Sequence, residues 1–216
     1  MKKYSTVIFD LDGTLLNTIE DLTNALNHTL QEFDMPTRTL PEVQSFVGNG
    51  LRLLLIRAIP QGEDNPQFEE VFAAFKTYYT DHCKEATAPY PGIMELLKTL
   101  QEHEIPMAIV SNKNDAAVKR LAADFFEVII SVAIGERTGV RKKPAPDTVF
   151  TALEELGESA DSAVYVGDSE VDLQTAANSG MDCISVAWGF KGRAFLEKEG
   201  ASHIVDTPEE ILGFLI

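Results

Sequence analysis

The chain has 216 residues, 44% hydrophobic and 24% charged, with 34 acidic against 18 basic side chains and a formal net charge of -16. This apolar content, without low-complexity tracts, excludes a disordered chain, and the length allows one substantial core or a core with a small accessory domain. So acidic a surface repels nucleic acid and anionic membranes, which removes both as expected partners, and any phosphate site must carry its own positive charge.

At the N-terminus the apolar run reaches Asp10 before it is long enough for a signal peptide, and no later run approaches the roughly 20 residues of a membrane-spanning helix. The chain is therefore expected in the cytoplasm. The first predicted strand, 6–9, ends at Asp10. Further short apolar runs follow at 106–110, 128–130, 163–166, 182–186 and 203–205. Each is continuous rather than alternating, as expected of strands buried on both faces of a parallel sheet. Helical patterns at 94–103, 116–123, 148–156 and 173–179 separate them, so the alternation predicts a doubly wound α/β core.

One stretch breaks this alternation. From Asn17 to Cys83 there are only amphipathic helical patterns, punctuated by Pro36, Pro41, Gly48-Asn49-Gly50 and Pro60. A structureless loop of that length is improbable in a compact domain. The reading is an α/β core of residues 1–16 and 84–216 with an inserted all-helical subdomain, 17–83, forming a lid after the first strand. Cys83 and Cys183 lack the spacing of a zinc site or a disulfide framework.

Ligands in open α/β sheets bind beyond the carboxyl ends of the strands, and polar residues collect at three of those ends here. Asp10-Leu11-Asp12-Gly13 follows the first strand, with Gly13 allowing a tight loop whose amides could cradle an anion. Ser111-Asn112 follows a second. Gly167-Asp168-Ser169-Glu170-Val171-Asp172 follows a third and opens a helix. Carboxylates this dense invite a hard divalent cation, with Mg²⁺ and phosphate the common pairing. Lys142 and Lys143, before Pro144, sit in a stiffened loop that offers the missing positive charge.

Taken alone, each motif has an ordinary explanation: Asp before Gly is a turn device, and Asn112 or Asp172 can serve a helix start. Together and in this order they resemble the haloacid dehalogenase-like hydrolase superfamily over nearly the whole chain. The helical insertion is similar to that family's cap. Phe46-Val47-Gly48-Asn49-Gly50 and Lys143-Pro144-Ala145-Pro146-Asp147 are similar to segments of its phosphoglycolate phosphatase group; Asn17 stands where many relatives have aspartate.

The resemblance implies an Mg²⁺-dependent phosphatase acting on small phosphorylated metabolites. It implies that Asp10 attacks phosphorus, and that Asp12 protonates the leaving oxygen and then activates water. Ser111, Asn112 and the Gly13 loop would hold the phosphoryl group, and Lys143 would tie it to the nucleophile. Mg²⁺ would be bound by the Asp10 side chain, the Asp12 carbonyl and Asp168, with Asp172 in support. Rival activities on the same fold are an inorganic pyrophosphatase and a sugar-phosphate mutase; Asp12 argues against a dehalogenase, and the insertion against a receiver-type signalling domain. Arg52 is a candidate for a second anionic group on the substrate. A monomer and a homodimer are both compatible with the sequence.

Overall fold

The computed structural model describes residues 4–48, 50–126 and 129–216. The chain divides into two units, 1–16 with 89–216, and 17–88.

The first unit opens with strand β1 (Thr6–Phe9), every residue of which is buried. The second unit then supplies four helices: α1 (Ile19–Glu32), α2 (Leu40–Phe46), α3 (Leu51–Ala58) and α4 (Phe68–His82). The longest two, α1 and α4, pack together, burying Leu22, Leu26 and Leu30 on one and Val71, Phe75 and Tyr79 on the other. Asp21, buried in the first turn of α1, accepts the backbone amides of Ala86 and Thr87 at 2.8 Å each. The start and the finish of the unit are thereby tied by one carboxylate.

The first unit resumes with α5 (Ile93–Glu102), β2 (Met107–Asn114), α6 (Asp115–Phe126), β3 (Val132–Glu136), α7 (Asp147–Leu156) and β4 (Ala163–Gly167). It closes with α8 (Glu170–Asn178), β5 (Asp182–Val186), α9 (Arg193–Lys198) and β6 (Ile204–Val205). The strands form one parallel sheet in the order β3-β2-β1-β4-β5-β6. Alternate side chains supply opposite faces, as the period of a strand requires. Val7, Phe9, Ile109, Val164 and Val166 join α5 and α6 on one face. Ile8, Ala108, Val110 and Tyr165 join α7 and α8 on the other. Burial on both faces is why these runs are continuous in sequence.

One predicted strand is displaced. Of residues 128–130, Val128 lies outside the described residues, and the amides of Ile129 and Ile130 both donate to the Phe126 carbonyl at 2.8 Å. They terminate α6 and have no amide left for a ladder, so the strand forms at Val132–Glu136 instead.

The order of the sheet decides where ligands can sit. From β1 the chain goes outward through β2 and β3 on one side and β4, β5 and β6 on the other, which opens a crevice at the carboxyl ends of the central strands. Phe9 pairs with Ile109 and with Val166, so the next residue, Asp10, emerges level with the tips of β2 and β4.

Phe75 is fully buried in the helical unit. Phe75→Ala should lower stability by about 3–5 kcal/mol through lost burial and the cavity left behind. Urea unfolding followed by far-ultraviolet circular dichroism measures this, and a loss under about 1 kcal/mol would contradict the packing described.

Candidate active site

Asp10 stands at the tip of β1 with its amide bonded to the Val166 carbonyl. Its carboxylate meets Lys143, which enters from the loop before α7. Lys143 Nζ donates to Asp10 Oδ1 at 2.7 Å, to Asp172 Oδ1 at 2.8 Å and to the Tyr165 hydroxyl at 2.9 Å. Three ammonium donors thus have three partners, in a site where the side chain is only 3% exposed. Tyr165 in turn donates to the Val110 carbonyl. Asn112 steadies the same loop by donating from Nδ2 to the Lys143 carbonyl at 3.0 Å. Lys142 is exposed, so the geometry selects Lys143 for the carboxylates.

Asp172 uses both oxygens. Oδ1 takes the lysine, while Oδ2 accepts the amides of Asp168 and Ser169 and the Ser169 hydroxyl, forming the capping box of α8. Asp168, also buried, accepts the Phe190 amide on Oδ2 at 2.6 Å. It is packed between two glycines: a Cβ at Gly13 would lie 2.5 Å from its Oδ2, and a Cβ at Gly189 2.2 Å from its own Cβ. Any larger residue at either place would displace it. Trp188 fastens the same loop to the first motif by donating from Nε1 to the Thr14 carbonyl at 3.0 Å.

Asp12 is partly exposed and pairs with Lys113, whose Nζ lies 3.0 Å from its Oδ1. Ser111 is buried, and its Oγ accepts the Lys113 amide at 3.1 Å, leaving its own proton to donate.

The structure thus brings Asp10, Asp168, Asp172 and Lys143 into direct register, and Asp12, Ser111 and Asn112 into bonded contact with their neighbours. Gly13 differs from the expectation. Its amide donates to the Leu16 carbonyl at 2.9 Å, so it is committed within the turn; its contribution is the room it leaves for Asp168. Asn112 likewise spends one amide proton on the lysine loop. Arg52 is also spent: its guanidinium bonds Glu63 and Glu69 at 2.6 Å each and lies over the rings of Phe68 and Phe72. Its charge is paired inside the helical unit, at an exposed position. Of the loop Gly48-Asn49-Gly50, Asn49 lies outside the described residues.

Five contributors escaped sequence reasoning. Tyr165 reads as one more strand residue, although a buried phenol needs a partner. Lys113 follows Ser111-Asn112 by one position. Trp188 and Gly189 read as packing and turn, yet Trp188 bonds the turn of the first motif, and Gly189 and Phe190 adjoin Asp168. Only contact across the fold reveals the roles of these residues.

The electrostatics follow from burial. Desolvation pushes the Asp10 carboxyl up to about 7, with Asp172 and Asp12 adding to the rise and Lys143 opposing it. Desolvation, then Asp172 and Asp10, holds Asp168 well above the usual carboxylate range. Burial works against the Lys143 ammonium, but Asp10 and Asp172 outweigh it and raise its pKa. With all four carboxylates (Asp10, Asp12, Asp168, Asp172) ionised, two ammonium groups would leave two negative charges here. Asp10, Asp168 and Asp172 each present an oxygen within 4.8 Å of the others. An all-oxygen, doubly negative cluster suits a hard divalent cation, and such an ion would relieve the repulsion that raises Asp10 and Asp168.

Comparison with known proteins identifies the family. The profile of the haloacid dehalogenase-like hydrolases matches residues 7–186. A phosphoglycolate phosphatase of Pseudomonas syringae pv. tomato is 34% identical over 97% of this chain and 79% of that relative. One from Neisseria meningitidis serogroup A is 32% identical over 97% of this chain and 89% of its own. A crystal structure from Lactobacillus delbrueckii subsp. bulgaricus, provisionally named a phosphoglycolate phosphatase, shares 38% identity over 99% of both chains with a TM-score of 0.93. By its fold, its motifs and these relatives, the chain belongs to the haloacid dehalogenase-like hydrolase family.

Proposed function

We propose that this hydrolase is an Mg²⁺-dependent phosphatase that hydrolyses small phosphomonoesters of the phosphoglycolate kind through an aspartyl phosphate on Asp10. The observation that carries the reading is the buried Lys143 bridge, which holds Asp10 and Asp172 together at the tips of β1 and β4. A carboxylate is a weak nucleophile, and phosphoryl transfer asks mainly for positioning and charge neutralisation. The relatives named phosphoglycolate phosphatase support the substrate class, and we read residues 17–88 as the cap that selects within it.

In the proposed reaction an Asp10 oxygen attacks phosphorus as the bond to the leaving oxygen breaks. Asp12 gives that oxygen a proton. Water then attacks the aspartyl phosphate, its proton passing to Asp12, and the Asp10–phosphorus bond breaks to release phosphate. Ser111 donates its hydroxyl to a phosphoryl oxygen. Lys143 acts mainly through Asp10, since all three of its donors are committed. Mg²⁺, held by Asp10, Asp168 and the Asp12 carbonyl, would draw negative charge off the phosphoryl group and keep Asp10 ionised. Asp172 supports this set from behind, because both its oxygens are already bonded.

Asp10→Asn should abolish phosphate release while leaving the fold intact, the amide being similar in shape and unable to attack. Wild-type protein should be inactive in chelator and restored by Mg²⁺. Ca²⁺ should restore little, since it takes more ligands and binds carboxylates through both oxygens. Phosphate release across a metal series measures both; a tenth of the wild-type rate in Asp10→Asn, or full activity in chelator, would sink the proposal.

Gly189→Ala drives a methyl group into Asp168 and to within 2.6 Å of the Gly13 carbonyl. Cation affinity should fall about 10–100-fold, as when the support of a ligand is disturbed. Isothermal titration with Mg²⁺ reads this without reference to turnover, and unchanged affinity would refute it.

The raised Asp10 also sets a pH dependence. In chelator the folded protein keeps this proton up to about pH 7, whereas the unfolded chain releases it near the ordinary value of 3.8. The stability it lends is present at low pH and is lost as pH rises through about 7. Between about pH 5 and pH 8 the metal-free Tm should therefore fall, and fall less in Asp10→Asn. Calorimetry in chelator decides it; parallel slopes for the two proteins would exclude a raised Asp10.

A further inference from the structure

We propose that Lys113 is the positioning residue of Asp12, a second lysine that does for the proton-transfer carboxylate what Lys143 does for the nucleophile. The inference rests on the role given to Asp12 above. Its starting point is a near-buried ion pair between strand tips 101 residues apart: Lys113 Nζ to Asp12 Oδ1 at 3.0 Å, with the lysine side chain 7% exposed. Exposed ion pairs are worth little because two long side chains must be ordered in water. Here the lysine is already ordered by burial, so the pair can fix a geometry. Asp12 is the partly exposed member, at 24%, and most in need of an anchor. With Oδ1 held by Lys113, Oδ2 remains to carry the proton to the leaving oxygen and to receive it from water.

The backbone beneath Lys113 is built to aim it. The pairing of β2 with β3 shifts register between Val110 and Asn114, so the strand departs from regular pleating across Ser111, Asn112 and Lys113. Such irregularities redirect side chains at strand ends. The Lys113 amide is fixed by Ser111 Oγ. Its carbonyl lies where a Cβ on Gly135 would be 2.6 Å away, so only glycine lets the neighbouring strand approach. Asp115 locks the juncture by accepting the Gly135 amide and Arg137 Nε at 2.9 Å each. This local construction sets the Lys113 ammonium group against the Asp12 carboxylate.

The consequence is selective. An aryl phosphate such as p-nitrophenyl phosphate expels a stable leaving group that needs no proton, whereas an alkyl phosphate such as phosphoglycolate does need one. Hydrolysis of the aspartyl phosphate needs Asp12 for either substrate. Rapid-quench kinetics on Lys113→Ala, Lys113→Gln and Lys113→Arg, with Asp12→Asn alongside, separates formation of the phosphoenzyme from its decay. In the alanine and glutamine variants, formation from p-nitrophenyl phosphate should stay near wild type. Formation from phosphoglycolate, and decay of the phosphoenzyme from both, should slow about 10²-fold, the usual size of a proton-transfer contribution. The substrate Kd, read from the concentration dependence of phosphoenzyme formation, should change little, and arginine should restore most of the loss.

If Asp12→Asn shows this selectivity and the Lys113 variants slow every step equally, or raise KM with kcat intact, Lys113 is a substrate-binding or structural residue and the proposal fails. If Asp12→Asn itself shows no selectivity, the role of Asp12 is wrong and the proposal falls with it.

Discussion

A buried ammonium group must be paired, and the arrangement of this site follows from that requirement. Lys143 is enclosed at the junction of β1, β4 and the loop before α7, and its three donors reach an aspartate at the tip of β1, a tyrosine on β4 and an aspartate in α8. Removing both carboxylates would leave an uncompensated buried charge. The elements that carry the partners are therefore bound to one another through a single nitrogen. Because Asp172 also caps α8 and accepts the Asp168 amide, the restraint passes on to the next acidic residue. Asp10, Asp168 and Asp172 thus share one scaffold.

The second lysine changes how the site is understood. With Lys143 alone, the cluster would divide into one organised carboxylate and one left to solvent. With Lys113 it becomes two aspartate–lysine pairs, each joining β1 or its following turn to a different part of the core. Each aspartate of the first motif then has its own electrostatic partner, which allows two different tasks to be assigned to residues two positions apart. An acidic protein supplies this positive charge locally while its surface as a whole remains strongly negative.

Much of this was legible in the sequence because both faces of the sheet are buried. Strands covered by helices on each side appear as unbroken apolar runs, and the first polar residue after each run marks a strand tip. Asp10, Ser111 and Asp168 were found in this way, and Lys143 through the motif it completes. Strand β3 was misplaced because the more apolar 128–130 is adjacent to it, while Gly135 and Glu136 dilute the true strand. Only the backbone bonds from Ile129 and Ile130 back to Phe126 show that the helix has claimed those amides. Tyr165, Lys113 and Phe190 act through partners about 22 to 101 residues distant, and no local pattern records such pairings. The partners of Arg52 were hidden for the same reason, since Glu63 and Glu69 come to it only on folding.

The bond from Trp188 to the Thr14 carbonyl has a practical side. Trp188 is the chain's single tryptophan, half-buried, with its indole N–H fixed to the turn that carries Asp12 and Gly13. Indole emission responds to the polarity and hydrogen bonding around the ring, so the intrinsic fluorescence of this protein originates beside the site rather than from a distant core. The molecule carries a native optical reporter on the loop that packs against Asp168.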